Sequence, residues 1–184
     1  MKISNMKSVF FISFIWFTFA GNLPAQESKK ATSFDQSIHI DTAAIAANIN
    51  TLEAFHATYF KGKKIFIDLW ATWCLACRKE FAYKEQLDSL LKVHNINLVL
   101  LSLDSSTQKE QWVSYINKHK LKGYHFLINE ELKKEIISIA GYSKSLLKMP
   151  LPYYIYIDEQ GELIDNNAPR PSDIGKLSDL FEQE

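Results

Sequence analysis

Cys74 and Cys77 are the only cysteines in 184 residues, and they share one tetrapeptide, Cys74-Leu75-Ala76-Cys77. A cysteine thiolate attacks disulfide sulfur, so a close pair is the first place to look for chemistry. The pair follows an apolar run, Lys64-Ile65-Phe66-Ile67-Asp68-Leu69-Trp70, and precedes a stretch rich in helix formers. At a helix N-terminus, unpaired N–H groups and partial positive charge favour a thiolate on Cys74. Two intervening residues in a helical turn bring Cys77 near enough to resolve a mixed disulfide formed by Cys74. The spacing therefore predicts an exposed nucleophile at Cys74 and a buried resolving thiol at Cys77.

Other uses of the pair fit less well. A zinc site needs two further ligands, whereas the five histidines are scattered singly. A purely structural disulfide closing so small a loop would constrain the unfolded chain little. A stapled secreted scaffold would spread several cysteine pairs along its length. No metal and no separate cofactor is expected.

Asp68 stands six residues before Cys74. A lone carboxylate between Ile67 and Leu69 is costly to desolvate, so its pKa is expected to rise. It can then accept the proton of Cys77, directly or through water, as that thiol attacks. The plainer alternative is an aspartate that caps the strand or faces solvent. Glu80, in the helix after Cys77, is a second candidate for that proton, although a residue at such a position is more often solvated.

Elements alternate around these residues. Helical spacing is predicted for Thr51–Phe60, for Cys77–His94 with Phe81, Leu87, Leu90 and Leu91, for Thr107–His119, and for Glu130–Ala140. Buried-type strands are predicted at Lys64–Trp70, Ile96–Leu103 and Tyr124–Ile128. Tyr153–Asp158 and Glu162–Asp165 read as a hairpin around Glu159-Gln160-Gly161. Ser172–Phe181 closes the chain as a helix capped by Ser172 or Asp173. The pattern implies one α/β domain, a mixed sheet flanked by helices.

Lys2 and Lys7 precede the apolar run Val9–Ala20, with Ala20 and Ala25 offering cleavage points. This reads as a secretory signal peptide over residues 1–25, too short to span a bilayer. Residues 26–40 are polar and read as a flexible lead-in, and the folded domain is placed at 41–184. With 21 basic and 21 acidic residues the formal net charge is zero, which argues against nucleic acid as partner.

The segment Asp68-Leu69-Trp70-Ala71-Thr72-Trp73-Cys74-Leu75-Ala76-Cys77-Arg78 resembles the active-site segment of thioredoxins, more closely that of exported TlpA/ResA-like thioredoxins. Leu151-Pro152-Tyr153-Tyr154-Ile155-Tyr156-Ile157-Asp158-Glu159-Gln160-Gly161 resembles that family's second signature, a cis-proline followed by a strand and a turn. The resemblance runs from about Gly62 to the C-terminus and implies a thioredoxin-like fold. It assigns the nucleophile to Cys74, the resolving thiol to Cys77, a flanking aromatic to Trp73 and the cis-proline to Pro152, with Pro150 the rival. It also implies that the Leu151 backbone pairs with an extended substrate, and it places an acid at Asp68.

Two departures stand out. Ala76 replaces the proline that usually precedes the second cysteine, which opens the question of redox potential. Ala82 replaces the helix-kinking proline, so a straighter helix is expected. What the resemblance implies is an exported, periplasmic, monomeric oxidoreductase for protein disulfides or dithiols, supplied with electrons by a membrane-bound donor. Cytochrome c maturation is one such role. The alternatives are a disulfide oxidant or isomerase, and a redox-inert binding module using the groove beside Pro152. A peroxidase reading fails, because the residues before Cys74 lack the proline of that family's motif.

Overall fold

In the computed structural model, which describes residues 37–41, 49–142 and 149–183, the apolar run is strand β2 (Lys64–Trp70) of a six-stranded sheet. Ile65 through Trp70 are all buried, as a strand covered on both faces must be. Its parallel neighbour is β3 (Ile96–Ser102), which pairs in turn with β4 (Gly123–Leu127). Beyond β4 lies β1 (Ile38–Asp41), also parallel. On the other side of β2 the sheet turns antiparallel through β5 (Tyr153–Ile157) and β6 (Leu163–Asp165). The expected mixed sheet with its closing hairpin is the one that forms.

Alternation along β2 sorts the core into two layers. Ile65, Ile67 and Leu69 join Phe55 of α1 (Leu52–Tyr59), Trp112 and Ile116 of α4 (Lys109–His119) and Ile136 of α5 (Glu130–Ile139). Phe66 points the other way. It meets Tyr154, Tyr156, Leu87 and Leu91 of α3 (Lys84–Val93) and Phe181 of α6 (Ile174–Glu182). Side-chain caps start the helices where the sequence offers them: Thr51 Oγ1 accepts from the Ala54 N–H at 3.1 Å, and Asn129 Oδ1 from Leu132 N–H at 2.8 Å.

Three expectations change. The strand β1 begins inside the stretch read as a lead-in, because Ile38 and Ile40 pack against the first core layer while the backbone pairs with β4. The helix expected over Cys77–His94 is broken, although it lacks a proline. It runs as α2 (Leu75–Glu80), a 3₁₀ turn at Phe81–Tyr83, and then α3. Packing accounts for the break: Phe81 meets Trp70 edge-on at 5.4 Å in one layer, while Leu87 and Leu91 serve the other. Finally, neither Ser172 nor Asp173 caps α6 with its side chain. The chain enters that helix through a 3₁₀ turn, Pro171–Asp173, with proline where no N–H is needed.

The segment expected to be a signal peptide lies outside the described residues. Among the described residues no helix is long and apolar enough to cross a membrane.

Candidate active site

Cys74 and Cys77 meet where β2 ends and α2 begins. They form a disulfide, and Cys74 is the N-cap residue of α2, its Sγ accepting the Cys77 N–H at 3.0 Å. The sulfur thus occupies the position where a capping oxygen normally satisfies a free helix donor. The same donor and the helix dipole would hold a thiolate after reduction. Cys77 is 0% exposed, as expected of a resolving thiol. Cys74 is only 5% exposed, against the expectation of an open nucleophile. The bond to Cys77 and the contact with its N–H turn the sulfur inward in the oxidised state, and the exposed surface falls to its neighbours Trp73 (61%) and Leu75 (62%).

A second carboxylate, unnoticed in the sequence, fixes the loop before Cys74. Asp104, just past β3, accepts from Thr72 N–H (2.9 Å), Thr72 Oγ1 (2.6 Å) and Ser102 Oγ (2.7 Å). Three donors satisfy this buried acid, so it is a fastener rather than a reactive group. Its sequence signal was an aspartate at the end of a strand adjoining β2, informative only once the register of β2 and β3 is known.

Asp68 is a different case. It lies on β2, 4% exposed, with Oδ1 lacking any hydrogen-bond partner among the described residues. Burial first, and the Glu80 charge second, push its carboxyl up to about 8. Asp68 lines a small cavity of ≈ 20 Å³ together with Glu80, Lys84, Asp88 and Lys122. That is space for about one water. The solvated role expected for Glu80 is not what forms: it is half-buried, lines this cavity, and accepts from Ser172 N–H (3.0 Å) and Ser172 Oγ (3.1 Å). The 3₁₀ break after α2 brings it there. Directly across the sheet from Asp68 stands Tyr154, buried, its phenol without a hydrogen-bond partner among the described residues and its pKa raised chiefly by that burial.

The proline assignment resolves in favour of Pro152. The Leu151–Pro152 peptide bond is cis, Pro152 is buried, and β5 starts at the next residue. Leu151 is partly buried against the first core layer. Arg170 precedes the 3₁₀ turn Pro171–Asp173, whose Ser172 donates to Glu80. Among the described residues, no three His, Cys, Asp or Glu side chains converge as a metal-binding group.

Comparison with known proteins points the same way. The profile of the family described as Redoxin matches residues 26–182. Thiol-disulfide oxidoreductase ResA of Bacillus thuringiensis is 30% identical over 105 residues, covering 57% of this chain and 54% of that protein. ResA of Bacillus subtilis is 25% identical over 104 residues, 56% of this chain and 52% of that one. The chain thus spans about half the length of the curated relatives it matches. Among solved structures, a candidate thiol-disulfide oxidoreductase of Bacteroides vulgatus superposes with TM-score 0.53 at 32% identity, over 67% of this chain and 74% of that one.

Proposed function

This chain belongs to the Redoxin family, and we propose that within it the Cys74–Cys77 pair makes the chain a thiol–disulfide oxidoreductase acting on proteins outside the cytoplasm. The observation that carries this reading is a single one: the chain's whole cysteine complement forms one disulfide at the start of α2, with Cys74 capping the helix.

In the reducing direction, the Cys74 thiolate attacks one sulfur of a substrate disulfide. The S–S bond breaks, the leaving thiolate takes a proton, and a mixed disulfide joins Cys74 to the substrate. Cys77 then gives up its proton and attacks Cys74 Sγ, releasing the second substrate thiol. Two electrons pass from the dithiol to the substrate, and the Cys74–Cys77 disulfide returns. Asp68 is the proton acceptor for Cys77, directly or through water. With its carboxyl near 8, only the ionised fraction, about a tenth at pH 7, can take the Cys77 proton, and its affinity for that proton nearly matches that of an ordinary thiol at about 8.5. The family resemblance assigns Trp73, Leu151 and Pro152 to the substrate side of the pair.

Export rests on the basic and apolar start of the sequence, and a periplasmic setting would require a membrane-bound reductant. Haem-attachment dithiols of cytochromes c are one class of product that such a reductase would supply.

The test is an equilibrium titration of the pair against glutathione or dithiothreitol. A potential near roughly −270 mV supports a reductase; a value near about −120 mV makes the chain an oxidant instead. The 5% exposure of Cys74 favours one rival, a redox-inert binding module. Alkylation of the reduced chain by iodoacetamide decides against that rival if Cys74 reacts at neutral pH, and for it if Cys74 stays unmodified.

A further inference from the structure

Beside the disulfide, the helix that carries it presents a charged face that the redox chemistry leaves unused. Leu75, Arg78, Lys79 and Ala82 recur at helical spacing, and all four are exposed. They form one wall of a groove of ≈ 530 Å³, and Tyr115 and His119 of α4 line it opposite. Arg78, Lys79, Lys84 and His119 line this groove, and among the described residues no acidic one does. The chain as a whole balances 21 basic against 21 acidic residues, so the bias is local.

The charges are also available. Lys122, Lys133, Lys134 and Lys176 each sit within 3.6 Å of a neighbouring carboxylate. Among the described residues, Arg78 and Lys79 make no ion pair. The walls are held together: Lys84 Nζ donates to the His119 carbonyl at 3.0 Å, and the Tyr115 ring lies 4.2 Å from that of His119 and 5.8 Å from Trp70. Apolar surface at Leu75, Phe81 and Tyr115 separates the cations. An extended peptide with acidic residues between apolar ones matches that alternation better than a compact anion does.

We propose that this groove docks an acidic, extended segment of the protein whose disulfide or dithiol exchanges with Cys74–Cys77. The proposal rests on the redox reading above and adds a substrate class to it. Leu75 directly follows Cys74, and Arg78 and Lys79 lie about one helical turn further, roughly 5–6 Å along the axis. Aspartate or glutamate about two to four residues from the substrate cysteine reaches them, at roughly 3.3–3.6 Å per extended residue.

The experiment measures second-order exchange rates of the full-length chain with matched peptide disulfides carrying acidic, neutral or basic flanks. Two or three exposed ion pairs give the acidic peptide an advantage of roughly tenfold over the neutral one at low salt. The advantage should shrink towards unity at about 0.5 M NaCl, and also in the variant Arg78→Glu with Lys79→Glu. The ratio between substrates is the readout, so any change in cysteine reactivity caused by the substitutions cancels. Equal rates for acidic and neutral peptides, or an advantage that survives charge reversal, overturn the proposal. Hydroxyethyl disulfide, small and neutral, reports on the redox reading alone. Binding of the acidic peptide with serine in place of cysteine, followed by fluorescence anisotropy, reports on the groove alone. If exchange fails with every disulfide but this binding remains charge-sensitive, the redox reading falls and the groove's acidic specificity stands. If anionic lipid vesicles capture the chain through the same two cations and the peptide does not bind, the docking proposal is wrong.

Discussion

Replacing Asp68 with asparagine should change how stability depends on pH, in a direction the buried carboxyl dictates. In the native, disulfide-bonded protein this group titrates near 8. In the unfolded chain an aspartate titrates near 3.9. Between those values the native state holds a proton that the unfolded state has released, so stability falls as pH rises across the window. Stability from this group is fully present below about pH 4, and its loss levels off above roughly pH 8 to 9. Each unit of pH inside the window is worth about 1.4 kcal/mol, so the wild type loses about 4 kcal/mol from this group between pH 5 and pH 8. Asp68→Asn keeps the shape and removes the titration. Urea unfolding of the oxidised protein at pH 5, 6, 7 and 8 gives both curves, and their difference isolates residue 68. The expected difference changes by about 4 kcal/mol in favour of the variant as pH rises. Parallel curves, agreeing in slope within about 1 kcal/mol, would mean that the carboxyl ionises near its ordinary value and that the proton-acceptor argument fails.

His125 makes the opposite limb. Burial pulls its imidazole down to about 4, with Nε2 engaged by the Leu121 carbonyl at 2.8 Å and Nδ1 without a hydrogen-bond partner among the described residues. The unfolded chain takes up a proton near pH 6.5 that the native protein resists, so about 3 kcal/mol of stability goes as pH falls from 6.5 to 4; His125→Gln should flatten that acid limb in the same urea series. Cys77→Ser should halt turnover with a protein disulfide at the mixed-disulfide stage, visible as a substrate adduct on Cys74 by mass spectrometry, whereas Cys74→Ser should give neither adduct nor turnover. An adduct on Cys74→Ser would reverse the assignment of nucleophile and resolving thiol.

The chemistry-bearing part of the chain was unusually legible because it is local. The strand before the cysteines and their separation of three residues are read from neighbouring residues, the cis-proline comes from the family resemblance, and β2 forms over Lys64–Trp70 as expected. What escaped depends on contacts between distant segments. Ile38-His39-Ile40-Asp41 alternates, but four residues in a polar context look like a tail until β4 is there to receive them. The break after Glu80 has no proline or glycine to announce it, since its cause is that Phe81 and Leu87 serve different core layers. Glu80 looked solvated because its partner, Ser172, is 92 positions away. Asp104 needed the pairing of β2 with β3 before its grip on Thr72 had any meaning.

The short strand β1 bears on how the chain should be handled. It borders the sheet beside β4, with the Gly123 N–H donating to the Ser37 carbonyl at 3.0 Å and the His39 ring stacked 4.6 Å from that of Tyr124. A truncation starting after Asp41, close to where a domain boundary would be drawn by eye, deletes it. Strand β4 would then become the rim, offering a row of open backbone donors and acceptors beside Tyr124 and Phe126. Such a rim is a template for another chain to add to, so the shortened product would be prone to self-association and poor solubility although every residue near the disulfide is intact. A segment that contributes nothing to the chemistry thus guards the protein against its own copies.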